Sequence, residues 1–347
     1  MPRFAISKGY RWIVGDLHSH SEHCSDGQVS VLDLVKASRQ WCDFIGISGH
    51  AVYEDNWGAG QHGDILRARQ LYPDMPIFHT AEQEFPVPRR CMFITTPDNR
   101  ELELQQELIR RFDRKQGNVG VEKALEALRF VEKNWGRNRV FMVFNHPNAP
   151  DVPLDSLLPL AEANGVFKVI ACLDRGERRA EQTWGVNTQW DRLLCAGHRL
   201  YARCGSDFHQ HFSKGGHDYY PGEFVQDVLL VKQNNYVDIL NAYRKGRFFC
   251  MCGHCIENPA FALRASPCGK RCQLSLSFKA LKPMRQIDII SEGRICASFY
   301  DVIGDFSFRG DFPAGSYFRV RGAGQPSQRP YSEGEYQPVF LLNPLFL

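Results

Sequence analysis

The sequence predicts an α/β fold related to the (β/α)8 barrel, followed by a smaller all-β segment. Apolar, strand-like runs alternate with helix-like stretches, and a strand at 12–15, a helix at 31–41 and a strand at 43–50 begin this βαβ pattern. Seven such strands precede residue 212, one fewer than a (β/α)8 barrel contains. Beyond residue 246, short strands separated by Gly and Pro turns indicate a β-sandwich. We therefore predict a barrel with its connecting segment over 1–245 and a sandwich over 246–347.

Metal-binding residue types occur at the ends of most predicted strands. The seven strands are expected at 12–15, 43–50, 76–85, 91–96, 140–146, 167–174 and 200–207. Five of them have such a residue at or just past the carboxyl end: His20, His50, Glu82, His146 and Asp207. A barrel of parallel strands assembles its active site at that edge. The pattern therefore predicts one shared site.

The composition disfavours several classes of protein. The chain has 347 residues, 43% of them hydrophobic, and a net charge of +3 with no basic stripe, so nucleic acid is not favoured as a partner. It has no run of about 18 apolar residues and no signal-like amino terminus, which predicts a cytoplasmic protein without a membrane span. Its 12 cysteines are scattered, which fits reduced thiols in that compartment. The sequence leaves the oligomeric state open.

One short stretch is unusually rich in metal-binding side chains. It reads Asp16-Leu-His-Ser-His-Ser-Glu-His-Cys-Ser-Asp26 and follows the first predicted strand. If that strand continues, Asp16, His18 and His20 point the same way, because side chains repeat with period two. Two imidazoles beside a carboxylate able to hold a ring N–H supply half of a divalent-metal site. Surface histidines before a Ser-rich loop are the alternative interpretation.

Six motifs, taken in order, give the chain a family resemblance. They are Asp16-Leu-His-Ser-His20, Ser25-Asp-Gly27, Ile47-Ser-Gly-His50, Ile77-Phe-His-Thr-Ala-Glu82, Asn145-His-Pro147 and Gly205-Ser-Asp-Phe-His209. Together they resemble the polymerase and histidinol phosphatase (PHP) domain, which implies a distorted, TIM-like (β/α)7 barrel. Further segments are similar to the carbaryl hydrolase-like branch and imply that the β-sandwich belongs to a two-domain arrangement: Trp190-Asp-Arg-Leu-Leu194, Gly246-Arg-Phe-Phe249 and Leu342-Asn-Pro-Leu345.

The resemblance implies metal ligands in three groups, with Glu82 as a bridge between the first two. The groups are His18, His20, Glu82 and Asp207; Glu82 and His146; and Asp26, His50 and His209. Mixed imidazole and carboxylate ligands suit zinc, manganese or iron better than magnesium or calcium. We therefore expect two or three divalent ions, and the ligand types do not choose among the three metals.

Two positions depart from the family pattern, and a third is ambiguous. Gly49 and Ala51 flank the histidine of the third motif, where the family usually has an Asp before it and often another after it. Cys91 stands where relatives commonly have a histidine, and its thiolate is a possible ligand. The bridging carboxylate is either Glu82 or Glu84, and the motif favours Glu82.

The function that follows is hydrolysis of an ester by metal-activated water. Metals bridged by a carboxylate polarise the ester and lower the pKa of a bound water, so no Ser or Cys nucleophile is required. Candidates to protonate the leaving group are His23, Asp174 and His211. Four cations near strand ends are candidates to bind an anionic substrate: Arg89, Arg90, Arg175 and Lys214. The resemblance favours a small-molecule phosphoester as substrate.

Other interpretations stay open at this point. The branch resemblance allows a carbamate or carboxylic ester as substrate, and the changes at Gly49 and Cys91 would suit a non-catalytic, metal-binding PHP module. Five cysteines also crowd into the stretch 250–272: Cys250, Cys252, Cys255, Cys268 and Cys272. They could bind a structural zinc ion, or they could act as small apolar residues.

Overall fold

The protein is a mixed α/β fold built on two large β-sheets, one of 11 strands and one of 5. The computed structural model describes residues 3–6, 8–24, 26–51, 58–145, 154–163, 165–174, 185–331 and 333–347. Among these residues, no helix combines the length and the apolar character needed to cross a membrane.

The strands and helices follow one another along the whole chain. The strands are β1 (Arg3–Phe4), β2 (Arg11–Asp16), β3 (Phe44–Ile47), β4 (Ile77–His79), β5 (Gln83–Glu84), β6 (Arg90–Thr95), β7 (Val140–Phe144), β8 (Phe167–Asp174), β9 (Tyr201–Gly205), β10 (Val225–Val231), β11 (Phe248–Cys252), β12 (Ile256–Ala265), β13 (Arg271–Ser291), β14 (Arg294–Pro313), β15 (Tyr317–Gly324), β16 (Ser327–Gln328), β17 (Glu335–Tyr336) and β18 (Val339–Phe346). The α-helices are α1 (Val31–Ser38), α2 (Ala59–Leu71), α3 (Glu101–Phe112), α4 (Val121–Trp135), α5 (Leu154–Ala163), α6 (Gln189–Cys195) and α7 (Tyr236–Arg244).

The seven strands predicted before residue 212 are present as β2, β3, β4, β6, β7, β8 and β9. β2, β3 and β4 pair in parallel in the larger sheet, and β7, β8 and β9 pair in parallel in the smaller one. The expectation of parallel strands throughout is wrong at β6, which runs antiparallel to β5 and β7. Only residues 85–89 separate β5 from β6, and so short a connection joins antiparallel strands. A single closed barrel is not confirmed.

The carboxyl ends of the parallel strands meet at one edge of the two sheets. Ser19, just past β2, forms an isolated parallel bridge with Phe208, just past β9. His50, just past β3, forms another with Glu82, which follows β4. Segments from four different strands are therefore held side by side at this edge.

Helices cover the strands with their apolar faces. α1 begins after Ser30, whose side chain accepts a hydrogen bond from the N–H of Asp33 and so caps the helix. Its residues Val31, Leu34 and Val35 are buried in a core cluster with side chains of β3 and β4. This packing fixes the strands whose ends carry the candidate ligands.

The carboxyl-terminal part is all-β, as expected, but hydrogen bonds join it to the amino-terminal strands. The larger sheet has the order β1-β12-β13-β15-β18-β11-β10-β2-β3-β4, with β14 beside β13. β10 is the link, because it pairs antiparallel with β2 on one side and with β11 on the other. A separate β-sandwich is not confirmed, and the domain boundary at residue 245 stays a prediction.

The hairpin of β13 and β14 bends midway along its length. The register between the two strands shifts there, and Asp301 and Gly304 have positive φ angles of 53° and 72°. The ring of Phe299 before the bend lies 5.1 Å from that of Phe306 and 4.7 Å from that of Phe308 after it. The two halves of the hairpin therefore share one apolar cluster.

A buried ion pair ties α6 to β15. Asp191 and Thr188 form a capping box at the amino end of α6. The same Asp191 carboxylate accepts from Nε and Nη2 of Arg319, both at 2.8 Å, and from the Tyr317 hydroxyl at 2.8 Å. Arg319 also lies over the Trp190 ring, 4.7 Å from its centroid. The Trp190-Asp motif thus contacts the carboxyl-terminal strands directly.

The five cysteines of the stretch 250–272 do not come together in one zinc site. Cys252, Cys255 and Cys272 are buried, whereas Cys268 is exposed. Burial raises the pKa of the Cys252 thiol well above its usual range and that of Cys255 to about 12. Within the described residues, none of these four belongs to a group with metal-compatible spacing, whereas the buried Cys250 lies in such a group with Cys204 and Asp227, outside the stretch. Packing as small apolar side chains accounts for the buried ones.

Candidate metal centre

Seven side chains converge where the strand ends meet, and we call them the metal cluster: His18, His20, Asp26, His50, Glu82, Asp207 and His209. All except Asp26, which lies in the loop before α1, come from the short segments that follow β2, β3, β4 and β9. The side chains are buried or half-buried, again with the exception of the exposed Asp26. The structure thus brings together every predicted ligand that lies within the described residues, apart from Cys91.

Four of these groups have the mutual spacing of ligands around one ion, and we call them the inner set: His18, His20, Glu82 and Asp207. His18 Nε2 lies 3.2 Å from His20 Nε2 and 3.3 Å from Glu82 Oε1. Asp207 Oδ1 is 3.2 Å from both imidazole nitrogens. Ligands around a tetrahedral ion at about 2.0–2.1 Å are roughly 3.3 Å apart. Four distances in the set match this spacing, while His20 Nε2 lies 3.9 Å from Glu82 Oε2.

The remaining three groups, Asp26, His50 and His209, form the outer set. His50 Nε2 and His209 Nε2 lie 3.1 Å and 3.3 Å from Asp26 Oδ2. The rings of His20 and His209 stack with centroids 4.3 Å apart, so the outer set adjoins the inner one. His50 Nδ1 also lies 3.2 Å from Glu82 Oε2. Glu82 therefore contacts both sets. The bridge expected from sequence, to an ion also held by His146, stays a prediction because His146 lies outside the described residues.

Burial and the neighbouring groups together favour the protonation states that bind a metal. Burial lowers the pKa of His20 to about 4, although a hydrogen bond to Asp207 opposes this shift. Burial alone would raise the pKa of Asp207, but His18 and His20 lower it well below its usual range. The imidazole of His20 is therefore neutral and the carboxylate of Asp207 ionised at pH 7, as ligands must be.

Asp207 has an unusual backbone conformation for a residue with a side chain. Its φ angle is +48°, in the left-handed region that non-glycine residues rarely adopt. The neighbouring backbone is fixed, since His20 N–H donates to the carbonyl of Phe208 at 2.7 Å and His209 Nδ1 lies 2.7 Å from the carbonyl of Asp207. Strain of this kind is concentrated at functional sites.

Asp16 fixes the backbone around the cluster rather than an imidazole ring, which corrects the expectation from sequence. Its Oδ1 accepts from the backbone N–H of His18 at 2.8 Å and from Arg203 Nη2 at 3.0 Å. Its Oδ2 accepts from the N–H of Ser206 at 2.7 Å. Because β2 ends at Asp16, strand periodicity does not extend to the histidines that follow. The carboxylate instead joins the segments after β2 and β9.

Glu82, and not Glu84, reaches the metal cluster. Its Oε1 accepts from Asn145 Nδ2 at 2.9 Å and its Oε2 from Arg90 Nη1 at 3.0 Å. Glu84 instead accepts from Arg90 Nε at 3.2 Å and from Arg114. Arg90 therefore holds both carboxylates, and Glu84 has no contact with the imidazoles among the described residues.

Two residues that support the cluster were not predicted. Cys24 Sγ lies 3.5 Å from His20 Nδ1 and accepts from the backbone N–H of His50 at 3.1 Å. Asp218 Oδ2 accepts from the N–H of His209 at 2.8 Å and lies 3.5 Å from its Nδ1. Cys24 falls inside the ligand-rich stretch 16–26, and that position could have indicated its role. Nothing in the local sequence points to Asp218.

The departure at Gly49 has a steric cause. A Cβ at this position would lie 2.4 Å from Gln61 Oε1 and 3.0 Å from Cys24 Sγ. Gln61 is only 2% exposed. An aspartate before the histidine of this motif would therefore displace packed neighbours, and the outer set does without that carboxylate.

We expect Cys24→Ala to weaken metal binding by roughly 10- to 100-fold, the usual cost of losing a partner of a metal-bound histidine. Burial raises the pKa of the Cys24 thiol to about 11, so it acts as a neutral partner of the His20 ring. Calorimetric titration with zinc measures the effect. Cys42→Ala, which removes another buried thiol, serves as the control. Equal affinities for Cys24→Ala and wild type would contradict this role.

Cys91 lies apart from the metal cluster. It is fully buried in β6, in a core cluster with Phe85 and Phe93. Burial raises the pKa of its thiol well above the usual range, which favours the protonated form that does not bind metals. Within the described residues it joins no group of metal-compatible spacing. The sequence-based suggestion of a thiolate ligand is therefore not supported.

Two candidate proton donors are paired with carboxylates. His23 is exposed, and its Nε2 lies 3.0 Å from Asp64 Oδ2. His211 is buried, with Nε2 2.9 Å from Glu223 Oε2 and Nδ1 2.7 Å from the hydroxyl of Ser213. Both nitrogens of His211 are therefore engaged, whereas His23 stands at the surface.

The remaining candidates are half-buried or exposed, or their side chains are not among those that the structure describes. Arg89 is half-buried beside Arg90, with a positive φ of 112°. Lys214 is exposed in a short 3-10 helix. Asp174 ends β8, and only its backbone is described. His146 and Arg175 lie outside the described residues, so their predicted roles stay predictions.

A second buried group, formed by His62, His79 and Glu101, is held together by an ion pair. Its potential ligand atoms lie within 4.8 Å of one another. Both Glu101 oxygens, however, accept from Arg69, at 2.8 and 3.0 Å, and His62 Nε2 lies 3.2 Å away. Burial would raise the pKa of Glu101, but His62 and Arg69 lower it to about 2. This carboxylate therefore stabilises the fold through Arg69.

We expect Glu101→Gln to lower the free energy of unfolding at pH 7 by roughly 3 kcal/mol. The folded-state pKa of Glu101, about 2, is below its ordinary value of 4.5. Its stabilisation is therefore complete above pH 4.5 and disappears as the pH falls towards 2. Urea unfolding of both proteins at pH 7, 4 and 3 should show the difference shrinking. A difference that stays constant with pH, or an equal loss in the exposed-site control Glu103→Gln, would contradict this assignment.

The fold and the metal cluster define a mixed α/β protein with a candidate centre for divalent ions. Neither a protein-family model nor a curated protein matches the chain. One solved structure that resembles it is a two-domain protein from Bacteroides vulgatus containing a predicted PHP-like metal-dependent phosphoesterase. The two are 16% identical, the match covers 95% of each chain, and the TM-score is 0.49. So distant a likeness assigns neither family nor activity, and the PHP resemblance with its carbaryl hydrolase-like branch stays a prediction.

Proposed function

We propose that the protein is a metal-dependent hydrolase of small phosphoesters. The observation that carries this proposal is the inner set, in which four distances between candidate ligand atoms are 3.2–3.3 Å and a fifth, from His20 to Glu82, is 3.9 Å. A divalent ion bound by such a set lowers the pKa of a bound water and polarises a phosphoryl oxygen. Zinc, manganese and iron suit these ligands, at two or three positions, with His146 as a further ligand of the second ion.

Arg90 is the cation best situated to meet an anionic substrate. Its Nη1 donates to Glu82 at 3.0 Å, while its side chain remains 35% exposed. The guanidinium therefore extends from a buried carboxylate of the cluster to the solvent. A planar guanidinium in this position can donate two hydrogen bonds to a phosphate. Arg89, Arg175 and Lys214 stay candidates; Lys214 is exposed, and Arg175 lies outside the described residues.

His23 is our preferred donor of a proton to the leaving group. It lies three residues before Asp26, in the same loop. Asp64 orients its ring through a contact with Nε2. Its Nδ1 has no hydrogen-bond partner among the described residues and is available for proton transfer. His211 would have to break its contact with Glu223 or Ser213 before it could transfer a proton.

The test is metal content per chain by elemental analysis of protein purified without chelator, beside a His20→Ala variant. The same samples are assayed with p-nitrophenyl phosphate and p-nitrophenyl acetate. We expect two or three ions per wild-type chain, fewer in the variant, and phosphatase activity that follows the metal content. Hydrolysis of the acetate alone would move the substrate class to carboxylic esters or carbamates. Wild-type protein that takes up no metal would overturn the proposal in favour of a non-catalytic module.

A further inference from the structure

The outer edge of β14 is open over its regular half. Between Gly304 and Pro313 its register with β13 is unbroken, and within the described residues β14 pairs with no strand other than β13. Edge strands that avoid pairing with other chains usually carry charged side chains, especially lysine, or proline or a bulge. Residues 304–310 read Gly-Asp-Phe-Ser-Phe-Arg-Gly, with neither lysine nor proline and with one charge of each sign. A partner strand that places opposite charges beside these two is therefore not repelled.

The segment 304–310 is complementary to itself about its central residue, Ser307. In an antiparallel pair of two copies centred there, a residue two positions before Ser307 faces the residue two positions after it in the other copy. Asp305 of each copy therefore lies opposite Arg309 of the other. Both side chains are exposed and lie on the same face of β14. Two opposite-charge pairs therefore form at once, and no like charges meet.

The other face of the same segment is aromatic. In this register Phe306 of each copy lies opposite Phe308 of the other, which gives two phenylalanine pairs. Both rings are half-buried at the rim of the apolar cluster shared by β12, β13 and β14. The Phe308 ring lies over Gly310, where a Cβ would be 2.4 Å from its Cζ. Pairing would place the exposed parts of four phenylalanine rings side by side and extend the apolar cluster across both chains.

We propose that this chain forms a two-fold dimer in which residues 304–310 of β14 pair antiparallel with the same residues of a second copy, centred on Ser307. The partner is a second copy because the charges and the rings are both complementary under a two-fold axis, the commonest symmetry of soluble oligomers. Such pairing joins the sheets of the two copies into one. It does not depend on the metal cluster, so its test is independent of the proposed hydrolase activity.

A charge exchange tests the register. Asp305→Arg and Arg309→Asp each place two like-charge pairs across the axis, and each should raise the dissociation constant of the dimer at least roughly tenfold. The double variant Asp305→Arg/Arg309→Asp restores opposite charges and should return the constant close to the wild-type value. Sedimentation over a range of protein concentrations measures it, with thermal unfolding to verify the fold. A monomeric wild type, or a double variant as weak as the singles, overturns the proposal.

Cross-linking tests the axis. Opposite Cα atoms of antiparallel strands are about 4.5–5.5 Å apart, a distance that a disulfide can span. Ser307→Cys should therefore give a covalent dimer under mild oxidation. Asp311→Cys is the matched control on the same exposed edge, since its two copies would be about 26 Å apart. Wild type controls for the exposed Cys195, Cys268 and Cys296. Failure of Ser307→Cys to cross-link above both controls overturns the proposal.

Discussion

Glu82→Gln is expected to remove most bound metal and to lower phosphoester hydrolysis by roughly 10³-fold, since metal activation of water contributes several kcal/mol to catalysis. Glu82 lies 3.3 Å from His18 and 3.2 Å from His50, so it contacts both the inner and the outer set. An amide in its place supplies no negative charge and only one oxygen. Metal content and the rate with p-nitrophenyl phosphate, measured on the same sample, give the result.

Glu84→Gln is the matched control for this prediction. Glu84 is two residues away and shares Arg90 with Glu82, but its other partner is Arg114 and not an imidazole. We expect this variant to retain its metal. Loss of metal in both variants would mean that the contacts with Arg90 cause the effect. If neither variant lost metal, Glu82 would not be a metal ligand.

Arg203→Met is expected to lower the free energy of unfolding by roughly 3–5 kcal/mol, the usual cost of breaking a fully buried ion pair. Arg203 is completely buried. Its Nη2 lies 3.0 Å from Asp16 and its Nε 3.1 Å from Asp227. Without the guanidinium two buried carboxylates lose their cation, although Tyr243 still donates to Asp227 at 2.6 Å. Equilibrium unfolding in urea provides the value.

Arg39→Met is the control for the buried ion pair. Arg39 also makes two hydrogen bonds to one carboxylate, that of Asp74, but this pair is exposed to solvent. Its loss should cost only about 0.2–1 kcal/mol. Similar losses in both variants would mean that burial does not determine the contribution of Arg203.

Local patterns in the sequence predicted those parts of the site that depend on short stretches of chain. Apolar runs followed by a ligand residue mark the strand ends, and the structure brings those ends together at one edge of the sheets. The choice of Glu82 over Glu84 rested on motif quality. Of these two glutamates, Glu82 is the one that lies 3.3 Å from His18, and its role as a metal ligand stays a prediction. Side chains that follow a buried strand have little freedom in where they lie, which is why such patterns are informative.

Contacts between distant stretches could not be predicted in the same way. Asp218 reaches His209 because a loop returns beside it, with a bridge between His211 and Asp218. The reversal at β6 depends on a five-residue connection that reads as an ordinary loop. The pairing of β10 with β2 joins residues more than 200 positions apart, such as Asp227 and Gly15. Single-sequence patterns do not identify neighbouring strands that lie so far apart along the chain.

The position of β10 has a consequence for how the molecule loses its structure. β2, which precedes His18 and His20, is connected through β10 to β11 by an uninterrupted ladder of hydrogen bonds. A chain cut after residue 245 would leave β10 with a bare edge and take β11 away from it. Amide hydrogens of β2 and β11 should therefore exchange with solvent in one common opening event, with the two segments melting together as a single foldon.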